Sequence, residues 1–417
     1  MKCSDSPSFV ARRGIVVSPN WRALFVSIIC GVGSAAAQPV TAPPPPAPEL
    51  SEQGPGATET VLKTSSTSPL QWGPVGLRPH AFYRWMYSEG ARARLGQQAN
   101  TTMNSISPGM TFDLATRWVA DYTQTWTYYS NEAFKDRVAH AASLKGGISF
   151  TDGSAQFAQT YSLSSESLVE TGRQTRQETA DTSLVVNYSL GRRSHLVANF
   201  SHDLRYVENA PNTREWSTND SIHYQFSSRL DMAVGLSYGL VDVDRGADMH
   251  FVEPQLRVGW RPVDKLRFDA HIGRQHRTFS AGGAAPINSS TYGASASYQP
   301  LETTIFTFSA NRGVSVSYFA NQVTQNSGWT AGFNQRLFKR LNLSGGYTQN
   351  HARYIPTAAV IRVGRDDETS NFYLRLGTGF LRHGKVAIVY QHIRNQSNTT
   401  GYSFSNNQTG FEVSYGF

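Results

Sequence analysis

The chain has 417 residues, enough for two or three ordinary domains or for one large barrel. Only 39% of it is hydrophobic, below the ~45–50% of an ordinary globular domain, while aromatics reach 12%; this excludes a thick two-sided core and suits a single-layer sheet whose faces meet different solvents. The net charge of +8 is dispersed one or two residues at a time, which excludes the basic stripe of a nucleic-acid binder.

Residues 1–37 read as a secretory signal. Lys2, Arg12, Arg13 and Arg22 form a basic lead, and the apolar run ALFVSIICGVGSAAA ends in Ala35-x-Ala37 before Gln38. The run is shorter than the ~20 residues of a membrane-spanning helix. A lipoprotein site at Cys30 is the alternative, but Ile29 stands where such signals take a small residue. Cleavage near Ala37 removes four basic residues and one acid, taking +8 to +5, and it removes both cysteines, Cys3 and Cys30. No disulfide or cysteine-based metal site is expected in what remains.

Residues 38–71 read as a disordered Pro-rich periplasmic linker, with Pro43–Pro46 favouring polyproline II and Gly, Ser and Thr around them. From about residue 72 to 417 the texture is uniform. Period-two alternation recurs in segments of roughly 10–14 residues, and no helical period persists. In LDMAVGLSYGL, Leu230, Met232, Val234, Leu236, Tyr238 and Leu240 share one face, and Asp231, Ala233, Gly235, Ser237 and Gly239 the other. In VEPQLRVGW, Val252, Pro254, Leu256, Val258 and Trp260 oppose Glu253, Gln255, Arg257 and Gly259. Such segments exceed the ~5–6 residues of a mean globular strand and match a tilted membrane-spanning strand.

Connections alternate in length as well. Tight turns are read at 151–153, 191–194, 227–229, 262–265, 300–302, 338–340 and 381–384, and longer polar loops at 88–103, 166–179, 280–288, 311–327 and 352–367. Aromatics fall into two sets: Phe150, Phe226, Trp260, Phe380 and Phe417 beside the short turns, and Tyr122, Trp126, Tyr206, Trp216, Tyr238, Trp329 and Tyr390 toward the long loops. Short turns at one end, long loops at the other and two aromatic bands predict an all-β fold: a transmembrane antiparallel up-and-down β-barrel of about 18 strands, with 16 as the alternative.

The ending FEVSYGF, with Phe411, Val413, Tyr415 and Phe417 on one face, resembles the C-terminal signature of bacterial outer-membrane barrels. Residues 307–354 also resemble a family of β-barrel porins found with exopolysaccharide loci. The resemblance implies an outer-membrane location in a Gram-negative bacterium and makes the last four alternate residues the signal read by the barrel-assembly machinery. It further implies outer-membrane lipid and a periplasmic polysaccharide-export component as partners.

A barrel of this size encloses water rather than a side-chain core. By parity its inner face carries Arg78, Arg84, Arg257, Arg267, Asp269, His271, Gln275, Arg277, Asn334, Arg336, Asn342 and Arg375. Arginine forks can bind sugars, phosphates and carboxylates, or simply pair with wall carboxylates. The expected function is an outer-membrane channel, first as a conduit for secreted polysaccharide. The alternatives are a small-solute or anion diffusion porin, constricted by an inward loop bearing Tyr318 and Phe319, and a closed adhesin or scaffold. Histidines 140, 202, 276, 351 and 392 are scattered singly without metal or catalytic spacing, so neither an enzyme, a metal nor a cofactor is expected.

Overall fold

The computed structural model describes residues 70–115, 117–280, 285–357 and 364–417. The signal segment and all but the last two residues of the linker lie outside them. The described chain is built of strands: β1 (Leu70–Trp72), β2 (Val75–Arg94), β3 (Gln97–Leu114), β4 (Trp118–Tyr129), β5 (Arg137–Phe150), β6 (Gly153–Ser167) and β7 (Gln174–Ser189). They continue as β8 (Ser194–Val207), β9 (Thr213–Ser227), β10 (Leu230–Val243), β11 (Met249–Val263), β12 (Leu266–Phe279) and β13 (Ile287–Leu301). The last are β14 (Thr304–Val316), β15 (Gln322–Leu337), β16 (Leu341–Pro356), β17 (Arg365–Phe380), β18 (Gly384–Ser397) and β19 (Phe404–Gly416).

Strands β2 to β19 each pair antiparallel with their chain neighbours, and β19 pairs with β2 from Gly416↔His80 to Asn407↔Glu89. The result is a closed barrel of 18 strands with no free edge, and β1 is a short flap hairpinned onto the foot of β2. Closure satisfies the backbone all round the wall, as a sheet immersed in lipid requires. The seam is locked outside by Phe411, whose ring stacks on Trp85 at 5.9 Å and tilts against Tyr83 at 5.9 Å.

Parity sorts the wall as the sequence pattern predicts. Met232, Val234, Leu236, Tyr238 and Leu240 of β10 are exposed on the outer surface, while Ala233, Ser237 and Val241 are buried on the inner one. Phe411 and Tyr415 of β19, and Phe417 just beyond it, are exposed on the outer surface, and Glu412 is buried within. All seven tight turns read from sequence lie at the rim that carries both ends of the described chain, here called the terminal rim.

The opposite, distal rim differs from expectation. The stretch 88–103 is no loop: β2 and β3 run on as a hairpin to a turn at Leu95 and Gly96. Its register shifts at Gly90, whose φ is +78° and where a Cβ would meet Ser405 O at 2.3 Å, so only glycine fits the bulge. Loops read at 166–179 and 311–327 shrink to 168–173 and 317–321, and β16 and β17 take up residues to Pro356 and from Arg365 of the stretch read as a loop at 352–367. Strands climb past the apolar belt, and there their outward positions turn polar (Arg176, Asp242, His250, Glu368), which erases the alternation.

Candidate functional site: the lumen and its distal closure

In the terminal half of the lumen the wall is a mesh of paired polar groups. Arg78 makes a forked pair with Asp113 across β2 and β3, at 2.9 and 2.7 Å. Glu412, nearly inaccessible on β19, receives Arg84 from β2 (Nε at 2.9 Å) and Arg375 from β17 (Nε at 3.1 Å). One carboxylate thus holds two guanidinium groups, one from the flanking strand β2 and one reaching across β18 from β17. Arg267 forks onto Asp269 two residues along the same strand, at 2.7 and 3.0 Å. Arg257 rests instead on neutral partners, donating to Asn219 at 2.6 Å and to Gln255 at 3.2 Å, and sits opposite His271 in register. Arg336 is exposed near the terminal rim.

Arg277 is different. It faces inward, but only 2% of it is accessible, so it lines no open water. Its guanidinium lies over Phe251 at 4.9 Å and donates to Val314 O at 3.2 Å. Around it Val241, Val243, Met249 and Phe251 pack against Val314, Val316 and Val323. These last three belong to the tops of β14 and β15. The β13–β14 pairing stops at Tyr292↔Arg312, whereas β14–β15 continues to Val316↔Val323. Released from β13, the top of the β14–β15 hairpin leans into the lumen and lays an apolar face on the inner surface of β10 and β11.

The tip of that hairpin carries Tyr318 and Phe319. Tyr318 crosses to the far wall, where it is 4% exposed among Leu168, Val207 and Ala210. Its hydroxyl donates to Gln177 at 3.0 Å, and the Arg205 guanidinium lies 4.5 Å over its ring. Phe319, the next residue, is half-buried. The loop 168–173 between β6 and β7 also folds inward. Arg365 of β17 donates to Glu170 O at 2.8 Å and Val169 O at 3.2 Å, and Arg92 of β2 reaches Val169 O at 3.3 Å. Strands β6 and β17 stand seven places apart round an 18-strand wall, so their contact spans the interior.

The two tips are joined by Glu170. Its carboxylate accepts from the Ser317 hydroxyl and from the Tyr318 amide, the latter at 2.6 Å. Burial pushes the Glu170 carboxyl above the ordinary carboxylate range, against the lowering effect of those two donors and of Arg205 and Arg365. The sequence pattern marks Tyr318 and Phe319 but not Glu170, Arg92, Arg205 or Arg365. A signal existed in Leu168-Val169, an apolar pair at the tip of a polar loop.

No family model matches the chain, and no curated protein matches it. Among the solved structures it is similar to are several Pseudomonas aeruginosa proteins. OpdL is 13% identical with a TM-score of 0.43, covering 82% of this chain and 98% of its own. The outer membrane protein OpdK is 14% identical with a TM-score of 0.43, at 82% and 98% coverage. OccK2 (OpdF) is 14% identical with a TM-score of 0.44, at 82% and 97% coverage. What the barrel does is therefore read from its own surfaces.

Proposed function

We propose that the protein is an outer-membrane channel for small polar solutes, with a preference for anions. The observation that carries this is the outer surface. Outward apolar positions run without a break from Leu230 to Leu240 on β10 and from Val252 to Trp260 on β11. At ~3.3 Å per residue and a typical tilt of ~45°, nine to eleven residues make a belt about 21–26 Å tall, the height of an outer-membrane barrel's lipid-facing band. A soluble protein would not leave so wide an apolar surface in water. Phe150, Phe226, Trp260, Phe380 and Phe417 ring its terminal edge, where aromatic side chains favour the interface. On this reading the terminal rim is periplasmic.

The lumen favours small solutes over a polymer. Two crossing tips stand where a polysaccharide would need a wide continuous bore, so the export conduit recedes behind the diffusion channel. Two guanidinium groups on one carboxylate, and Arg257 on neutral amides, weight the inner wall toward anions. The test is the reversal potential of the purified barrel in a planar bilayer under a salt gradient. Anion preference is expected, and cation selectivity would sink that assignment. Absence of any conductance, together with no swelling of sugar-loaded liposomes, would sink the channel itself.

A further inference from the structure

His195, His223 and Asp231 stand on three successive strands, β8, β9 and β10, close to the terminal rim. All three face the lumen. His195 and His223 are direct cross-strand partners, and their imidazoles lie nearly parallel with centroids 4.5 Å apart. His223 Nδ1 meets Asp231 Oδ1 at 2.7 Å, and its Nε2 meets the Ser221 hydroxyl at 3.0 Å. One donor atom from each of the three lies within 4.8 Å of the others, and among the described residues no other trio of His, Cys, Asp or Glu gathers so closely.

We propose that this trio binds one divalent transition-metal ion of the zinc class at the terminal mouth of the lumen. Two imidazoles and one carboxylate form the donor set of an open tetrahedral zinc site, with the fourth position left to water. Two nitrogen donors of three select Zn²⁺, Ni²⁺ or Cu²⁺ over Mg²⁺ and Ca²⁺, which take oxygen. Bonds of ~2.0–2.2 Å place tetrahedral donors about 3.3 Å apart. The 2.7 Å gap must therefore widen slightly and the longest one close, both within reach of side-chain rotation on an open wall. Ser221 supplies the outer hydrogen bond that fixes an imidazole ligand's ring. A plain His–Asp ion pair accounts for His223 and Asp231 but leaves unexplained why a second imidazole is stacked within ligating distance.

The test is calorimetric titration of the untagged, full-length barrel in detergent with Zn²⁺, alongside Co²⁺ titration followed by visible absorption. One equivalent is expected to bind, with tetrahedral-type Co²⁺ bands. His195→Ala and His223→Ala should each weaken it by roughly tenfold or more. His351→Ala, at a separate pair 3.7 Å from Asp366, should leave it unchanged. Heat-modifiable migration on gels confirms that each variant is folded, and His195→Gln serves where alanine is not tolerated. No binding by the wild type, unchanged binding in both trio variants, or equal loss in His351→Ala would overturn the proposal. Because the readout is binding in micelles, it is independent of whether the barrel conducts.

Discussion

The two halves of the lumen use the same residue types for opposite ends. In the terminal half Arg84, Arg375 and Glu412 lie flat along the wall and join strands that are adjacent or one strand apart. In the distal half Arg92, Arg205 and Arg365 point to groups from remote strands and hold two loop tips across the bore. A wall arginine leaves the passage open and sets its charge. An arginine buried under a crossing loop holds a constriction in place. The terminal half should therefore govern assembly and selectivity, and the distal half conductance.

Removing Phe417 should have the largest effect. Its ring packs on His383 at 5.1 Å and on Tyr415 at 5.4 Å, and its amide closes the last bond to Pro79 O at 3.4 Å. Without it, most of the barrel should fail to reach the membrane, while the molecules that do insert should conduct normally. Wild-type surface levels of the truncated chain would break the division. Tyr318→Ala should do the reverse. Truncating a ring that is 4% exposed weakens tip docking by roughly 3 kcal/mol or more, with the wall untouched. Single-channel conductance should rise several-fold at normal surface levels; unchanged conductance would place the solute path away from the tips.

A smaller effect is expected from Glu412→Gln. Arg84 and Arg375 then lose their common carboxylate, and the reversal potential should move toward the anion limit. Unfolding in urea should show a loss on the order of 1–3 kcal/mol, since a buried acceptor of charged donors is replaced by a neutral one. A selectivity that stays put would mean that this wall does not face the permeating solute.

How much of this was legible follows the same division. Inside the apolar belt each residue's face is a local property: lipid on one side and water on the other impose period two, so the inward placement of Arg84, Arg257 and Arg375 could be read from parity. Beyond the belt both faces of a strand meet water or folded-in loops, and residues 88–103 looked like a loop although they form a paired hairpin. Contacts such as Glu170 with Tyr318 join residues 148 apart in the chain, and parity carries no information about which strands face one another across a barrel. The trio of His195, His223 and Asp231 leaves no mark in the sequence for the same reason: its members sit on three strands, with no spacing motif.

The finest test of the distal half is its pH dependence. Glu170 is buried between the tips, facing Ser317 and Tyr318 from one hairpin, Arg205 and Tyr354 from the wall, and Arg365, Asp367 and Arg92 from the strands that hold its own loop. Burial raises its pKa in the docked state. A group that binds its proton more tightly when docked than when released favours docking at low pH, and this preference is lost as pH rises through the docked value. Once the carboxylate ionises, its hydration in the undocked tip competes with the bonds to Ser317 and Tyr318. Channel recordings should therefore show closed dwell times shortening as pH rises, and Glu170→Gln should flatten the response while keeping an acceptor for the Tyr318 amide. A wild-type barrel whose dwell times lengthen with rising pH would mean that the paired arginines, rather than burial, set the balance at this carboxylate.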